Sequence, residues 1–263
     1  MLTLSTLLAG GFALQWRACD QIHQKGESEL AEHSPGRKQT LGEMLSTASS
    51  PVAVPEWQRS FSWGDIEVRC LWLDLLAFSE RYEGLGFQKR EYSLGSVVIA
   101  HHDRVHVLLD GQHRLASATI LLSVIRDHLA RQGNPAAIDI QHNYICGLNG
   151  ATSICYKLTM NRIDRDFFRR EIQDEARQER PWREPHIESH RLLWKARNLL
   201  ADLFEAECIK RNLGAQAAEW VERVLDALLN YTTVSVLETF WTTSIRLPGA
   251  PPHCQQEAVL QSQ

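Results

Sequence analysis

The chain has 263 residues, enough for one ample core or two small ones. Hydrophobic residues make up 44% and charged residues 23%, which excludes a disordered or fibrous chain. Twenty-eight Lys+Arg against 32 Asp+Glu give a formal charge of −4, which excludes a global basic field for nucleic acid and leaves only a local basic groove.

The opening run Met1 to Leu14 resembles a signal-peptide core. It has no positively charged segment before it and no clear A-x-A site after it, so it reads as a cytosolic extension or a start-site artefact rather than an export signal. No stretch of about 18 apolar residues follows, so no membrane partner is expected. Residues 15–40 are polar and have linker composition, ending in Ser34-Pro35-Gly36. Residues 1–40 are therefore expected to be a poorly ordered extension.

Order is expected to begin with a short helical turn at Thr40 to Leu45, followed by an extended piece at Val52 to Pro55. Asp65 to Tyr82 reads as a helix with Ile66, Trp72, Leu73 and Leu76 on its apolar stripe. Two strands follow, Tyr92 to Ala100 and Arg104 to Leu109, joined through His101-His102-Asp103 as a hairpin. The second runs straight into Asp110-Gly111-Gln112-His113-Arg114 and a helix carrying Leu115, Leu122, Ile125 and Leu129. That helix should stop at Gly133-Asn134-Pro135. A second hairpin is expected from Tyr144–Leu148 and Ser153–Leu158 around Asn149-Gly150.

From Asp164 the chain reads as helical. Residues 162–197 hold ten Lys/Arg against eight Asp/Glu, a solvated mixed surface rather than a basic stripe. Helices near Ile187–Arg211 and Ala215–Leu229 precede a β-branched stretch, Thr232 to Thr239, and a Pro- and Gln-containing tail. The six cysteines (Cys19, Cys70, Cys146, Cys155, Cys208 and Cys254) form no CxxC pair and have no zinc spacing, so they read as reduced cytosolic thiols.

The informative chemistry lies in the strand–Asp110-Gly111-Gln112-His113-Arg114–helix junction. Gly111 permits a sharp turn and close approach of a ligand to the backbone. The first-turn N–H groups and the positive end of the helix dipole favour an anion. Arg114 adds a planar fork suited to two phosphate oxygens, and Asp110 is placed for a metal-bound water or a ribose hydroxyl. The same residues also fit a plainer role, with Asp110 as an N-cap and Arg114 as a surface cation. A second cluster, Pro55 to Trp63, packs two Trp, a Phe, Gln58 and Arg59 into nine residues. It suits either an aromatic wall with a phosphate clamp or a hydrophobic anchor ahead of a helix.

In order, VPEWQRSFSW, YSLGSVVI and LLDGQHRLASATILLSVI resemble the domain-of-unknown-function 262 family. This is the N-terminal domain of GmrSD-type, modification-dependent restriction systems, with the usual signature VPxYQRxYxW…FLGS…DGQQR. Leu158-Thr159…Asp164 to Phe168 and Ser189-His190-Arg191 look like its downstream marks, so the resemblance covers roughly residues 41–240. It implies an α/β (α+β) ParB/sulfiredoxin-like core over residues 41–160, a helical lobe over 161–245 and a disordered tail over 246–263. It places nucleotide binding on Gln58, Arg59, Asp110, Gly111, Gln112, His113 and Arg114. If the domain hydrolyses a nucleoside triphosphate with Mg²⁺, Asp110, His113 and Arg114 are the catalytic candidates, and Arg59 and Arg114 would neutralise developing phosphate charge.

Two departures stand out. Position 113 is His where the family usually has Gln, and this spelling resembles DndB-like regulators of DNA phosphorothioation. His titrates near neutral pH and makes hydrolysis the more doubtful half of the inference. The HNH nuclease that many relatives carry is also missing: His186, His190 and His253 lie in no such pattern. The expected function is thus a cytoplasmic nucleotide-binding sensor or regulator of a DNA-defence system. Its expected partners are modified DNA and a separate nuclease subunit. The rival readings are a non-hydrolysing DNA-binding regulator and a truncated, inactive remnant.

Overall fold

The computed structural model describes residues 36–46, 51–81, 91–102, 105–149, 153–175, 181, 184–211 and 215–240. Its centre is a mixed six-stranded sheet in the order β1-β8-β3-β4-β2-β7. The strands are β1 (Arg37–Thr40), β2 (Val52–Ala53), β3 (Tyr92–His102), β4 (Val105–Asp110), β7 (Leu158–Thr159) and β8 (Thr232–Phe240). A separate hairpin pairs β5 (Cys146–Asn149) with β6 (Ser153–Tyr156). The α+β class expected from the sequence is what is observed.

Strand β3 is central. It pairs antiparallel with β4, as the hairpin reading expects, and parallel with β8, whose β-branched run suits a pleated buried position. Strand β1 pairs antiparallel with β8 on the far side. Ordered structure therefore begins before Thr40, inside the segment expected to be a linker. The polar sequence Arg37-Lys38-Gln39-Thr40 hides this, because edge strands tolerate charge on both faces.

The helices are α1 (Leu41–Ser46), α2 (Asp65–Arg81), α3 (Gln112–Arg131), α4 (Ala136–Ile140), α5 (Arg165–Phe168), α6 (Glu188–Lys210) and α7 (Ala215–Asp226). Helices α4, α5 and α7 each run on into a π-type turn. Every residue of α3 from Leu115 to Leu129 is buried, so this helix is enclosed on all sides rather than amphipathic. It packs against α6, and α2 packs against α6 and α7. Trp72 of α2 meets Phe204 of α6 and Trp220 of α7 edge-on, with centroids 6.1 and 6.3 Å away. One buried cluster joins these helices to the sheet, from Leu41 to Val236.

Three local expectations are corrected. On α2, Trp72 is buried as expected and Leu73 and Leu76 pack partly buried against the core, but the deepest positions also include Val68, Leu71 and Leu75, and Ile66 in the first turn is 67% exposed. Tyr144 and Ile145 belong to the π-type turn after α4 rather than to a strand. Leu158 leaves the second hairpin and pairs as β7 with β2, because the β5–β6 ladder ends at Tyr156. The Gly150 half of the Asn149-Gly150 turn lies outside the described residues. Cys146, Cys155 and Cys208 are free thiols, but Cys70 is in a disulfide, contrary to the reading of all six as reduced. No helix among the described residues is long and apolar enough to cross a membrane.

Candidate nucleotide site at the start of helix α3

Two irregularities in the sheet shape this site. The β3–β8 register shifts between Ser93 and Ser96, which bulges the strand at Leu94-Gly95. The β3–β4 register shifts so that Val98 faces Asp110 while Ile99 faces Leu108, leaving Leu109 unopposed. The side-chain amide of Gln58 donates to the carbonyl of Leu109. That bond fastens the Pro55–Trp63 segment to the end of β4. Gln112 extends it through Nε2, 3.4 Å from Gln58 Oε1. The two clusters singled out in the sequence are thus one site.

Gly111 sits at φ 95°, in the left-handed region, and serves as the N-cap of α3 without a side-chain cap. A Cβ here would come within 2.6 Å of Val97 Cγ1, so both conformation and space call for glycine. Asp110 is therefore not the N-cap that the plainer reading makes of it. Its carboxylate instead pairs with Arg114 Nη2 at 3.2 Å, the two side chains being 55% and 22% exposed. Arg114 Nη1 also approaches the Leu94 carbonyl at 3.4 Å. A Cβ on Gly95, at φ 91°, would collide with that same Nη1. The β3 bulge thus forms the bed on which the Arg114 fork lies.

His113 is buried behind this front, with Phe61 and Trp63 at ring distances of 5.5 and 6.3 Å. Its Nε2 lies 3.0 Å from Ser62 Oγ. Burial is the main cause that pushes its pKa down to about 4, with Arg59 next and a smaller push from Arg114. A backbone hydrogen bond with Ser60 and the Asp110 charge oppose the shift. This corrects the expectation of a group titrating near neutral pH: His113 is an uncharged ring at pH 7. Arg59 is exposed, and its charge reaches this ring.

The downstream marks act as a scaffold. The buried carboxylate of Asp164 accepts from Phe61 N at 2.7 Å and from Ser189 Oγ at 2.6 Å. Asn161 Nδ2 donates to the Gln58 carbonyl at 3.0 Å, and its Oδ1 accepts from Asp164 N. Asp164 thereby ties the aromatic segment to the start of α6. The sequence marks these residues without disclosing that role, since Phe61 and Asp164 are 103 positions apart. His190 stacks on Phe167 at 4.3 Å, with Nε2 3.0 Å from the Ile163 carbonyl, which fits the reading of a packed residue at a helix start. His186 is exposed, and His253 lies outside the described residues. Among the described residues, no group of three or more His, Cys, Asp or Glu side chains is arranged to hold a metal ion.

The fold and site define an α+β domain in which three separated motifs converge on one helix N-terminus. Residues 41–242 match the family model of the N-terminal domain of GmrSD restriction endonucleases. The chain belongs to that family, and hence to the modules of restriction and phage-defence systems. No individual curated protein matches it.

Proposed function

We propose that this domain binds a nucleoside triphosphate on the first turn of α3 and works as the nucleotide-dependent sensor or regulator of a restriction system. One observation carries the reading: a 20-residue helix opens on glycine without a side-chain cap, with Arg114 in its first turn and the charge of Arg59 felt at His113 in the same turn. Free N–H groups, the positive helix end and two guanidiniums together favour a polyphosphate. Gly95 and Gly111 keep Cβ atoms away from the bed of the fork and from the turn.

Magnesium fits this arrangement modestly. Mg²⁺ usually takes one or two carboxylates and fills its shell with phosphate oxygens and water. Asp110, exposed beside the turn, would supply one carboxylate. The ion would offset charge on the phosphates, while Arg59 and Arg114 hold and orient them. Cutting of DNA is assigned to a separate nuclease subunit, because His190 is committed to Ile163 and Phe167.

Calorimetric titration of the full chain with GTP, ATP and CTP, with and without Mg²⁺, tests the proposal. Saturable binding of at least one nucleotide is the expected result. Absence of binding by all three, together with salt-resistant binding of duplex DNA, would overturn it in favour of a non-hydrolysing DNA-binding regulator.

A further inference from the structure

We infer that Ser62 and His113 form a nucleophile–base dyad, with Ser62 Oγ as acceptor of the terminal phosphoryl group of the bound nucleoside triphosphate. The inference rests on the nucleotide site proposed above and assigns it a covalent product. Ser62 is exposed, whereas the ring 3.0 Å behind it is buried. That order, an accessible hydroxyl with a shielded imidazole behind, is the one nucleophilic catalysis requires.

The ring is also oriented. Its hydrogen bond with the Ser60 backbone favours the protonated form, so a ring N–H donates to a carbonyl there. In the tautomer that carries the single N–H on Nδ1, Nε2 accepts the Ser62 hydroxyl proton. Trp63 stacks within 19° of the ring plane and Phe61 closes another side, holding the imidazole in place. Ser62 Oγ is hydrogen-bonded to the side chain of the second residue of α3, which puts it beside the turn proposed to hold the phosphates.

In the transfer, the Oγ–phosphorus bond forms as the bond from phosphorus to the bridging β,γ oxygen breaks. The hydroxyl proton passes to His113 Nε2 as the nucleoside diphosphate leaves. The negative charge of the bound phosphates beside the ring would offset the burial and the Arg59 charge that otherwise disfavour the imidazolium. Arg59 and the helix end would stabilise the resulting serine phosphate. Neither partner is fixed by the family signature: Ser62 falls on a variable position, and His113 replaces the usual Gln. The dyad is a property of this chain.

The full chain, incubated with Mg²⁺ and each of GTP, ATP, CTP and UTP, should gain one phosphate, which peptide mass spectrometry should locate on Ser62. Ser62→Ala should abolish the adduct. His113→Gln, which keeps an amide donor and acceptor but no basic nitrogen, should slow its formation about a hundredfold, in line with loss of a general base. Calorimetry on the same samples separates the two claims. A nucleotide that binds but leaves Ser62 unmodified overturns the dyad alone. Absence of nucleotide binding overturns both the dyad and the site beneath it. Phosphorylation of Ser62 at equal rates in wild type and His113→Gln also overturns the dyad, since the imidazole would then take no part.

Discussion

Helix α3 places an Arg in an Arg–Asp pair in each half, the first with Asp110 at the end of β4 and the second with Asp127 on the helix itself. The two pairs differ in almost everything except residue type. Near the start, Arg114 meets Asp110 at 3.2 Å with both side chains partly in solvent. Twelve residues on, Arg126 meets Asp127 at 2.7 Å, with side chains 2% and 8% exposed. Arg197 of α6 adds a second guanidinium to Asp127, also at 2.7 Å. Arg126 further donates to Gln141 and to the carbonyls of Ile172 and Gln173. The buried pair has its hydrogen-bonding capacity filled and holds α3, the π-type turns and α6 in one arrangement. The partly exposed pair is weaker, and in the proposed site it would open toward a ligand. Burial and surrounding partners, more than the identity of the charges, separate a structural pair from one able to serve binding.

The comparison breaks most visibly at the buried pair. Arg126→Met should destabilise the fold by about 3–5 kcal/mol, because it removes one guanidinium from a buried carboxylate and strips donors from two carbonyls and Gln141. Urea denaturation would show the loss. A variant within about 1 kcal/mol of wild type would mean that the buried network contributes no more than a surface pair.

The next effect concerns pH. His113 has a folded-state pKa of about 4 against an unfolded value near 6.5. Below the unfolded value, protons bind the unfolded chain preferentially. The contribution of the neutral ring is therefore complete above about pH 6.5, falls as pH drops, and is exhausted near pH 4. At about 1.4 kcal/mol per unit, the loss is on the order of 3 kcal/mol, less where solvent reaches the ring. The charges acting on it are Arg59, Asp110 and Arg114. Other groups titrate in this window too, so the useful measurement is the difference between wild type and His113→Gln across pH 4–7. A pH-independent difference would refute a buried neutral ring.

Much of this was legible in the chain. The hairpin into the Asp110–Arg114 turn, the stop of α3 before Pro135 and the β-branched last strand all rest on local signals that tertiary packing then reinforces. Of the stripe expected on α2, Ile66 alone faces solvent, because an apolar residue in a first turn looks like core in the sequence while that turn lies outside the packed face. Strand β1 was invisible because its pairing with β8 joins residues nearly two hundred positions apart. For the site, motif order pointed to Gln58, Arg59 and the turn, and the structure brings these together. The Gln58–Leu109, Ser62–His113 and Phe61–Asp164 bonds were not readable, since each depends on folded proximity between distant segments.

Arg114 sharpens the other side of the comparison. Arg114→Ala should cost about 1.5–3 kcal/mol of nucleotide binding, roughly ten- to a hundredfold in affinity, through loss of a charge-assisted fork. Arg114→Lys should restore part of it, since a point charge replaces the planar pair of donors. Folding stability should fall by no more than about 1 kcal/mol, as befits a partly exposed ion pair. Calorimetry paired with thermal melts would separate the two effects. Equal affinity in all three proteins would remove Arg114 from the site, and an Ala variant that unfolds would make its bed on Gly95 and Leu94 structural.

The smallest expected effect is also the most diagnostic, because its sign depends on the metal. Asp110 competes with phosphate for Arg114 at 3.2 Å and adds negative charge beside the turn. In the absence of divalent ions, Asp110→Asn should release the fork and tighten nucleotide binding. A partly exposed pair is worth about 0.2–1 kcal/mol, so the gain should stay below roughly fivefold. With Mg²⁺ present, the same carboxylate would be an ion ligand in the proposed site, and its loss should weaken binding instead. Titrations of wild type and Asp110→Asn with one nucleotide, in EDTA and in excess Mg²⁺, should therefore cross. Tighter binding in both conditions would show that Asp110 restrains Arg114 and holds no metal. Weaker binding in both would show that the carboxylate contacts the nucleotide itself, as a ribose hydroxyl partner would, since that bond does not depend on the ion.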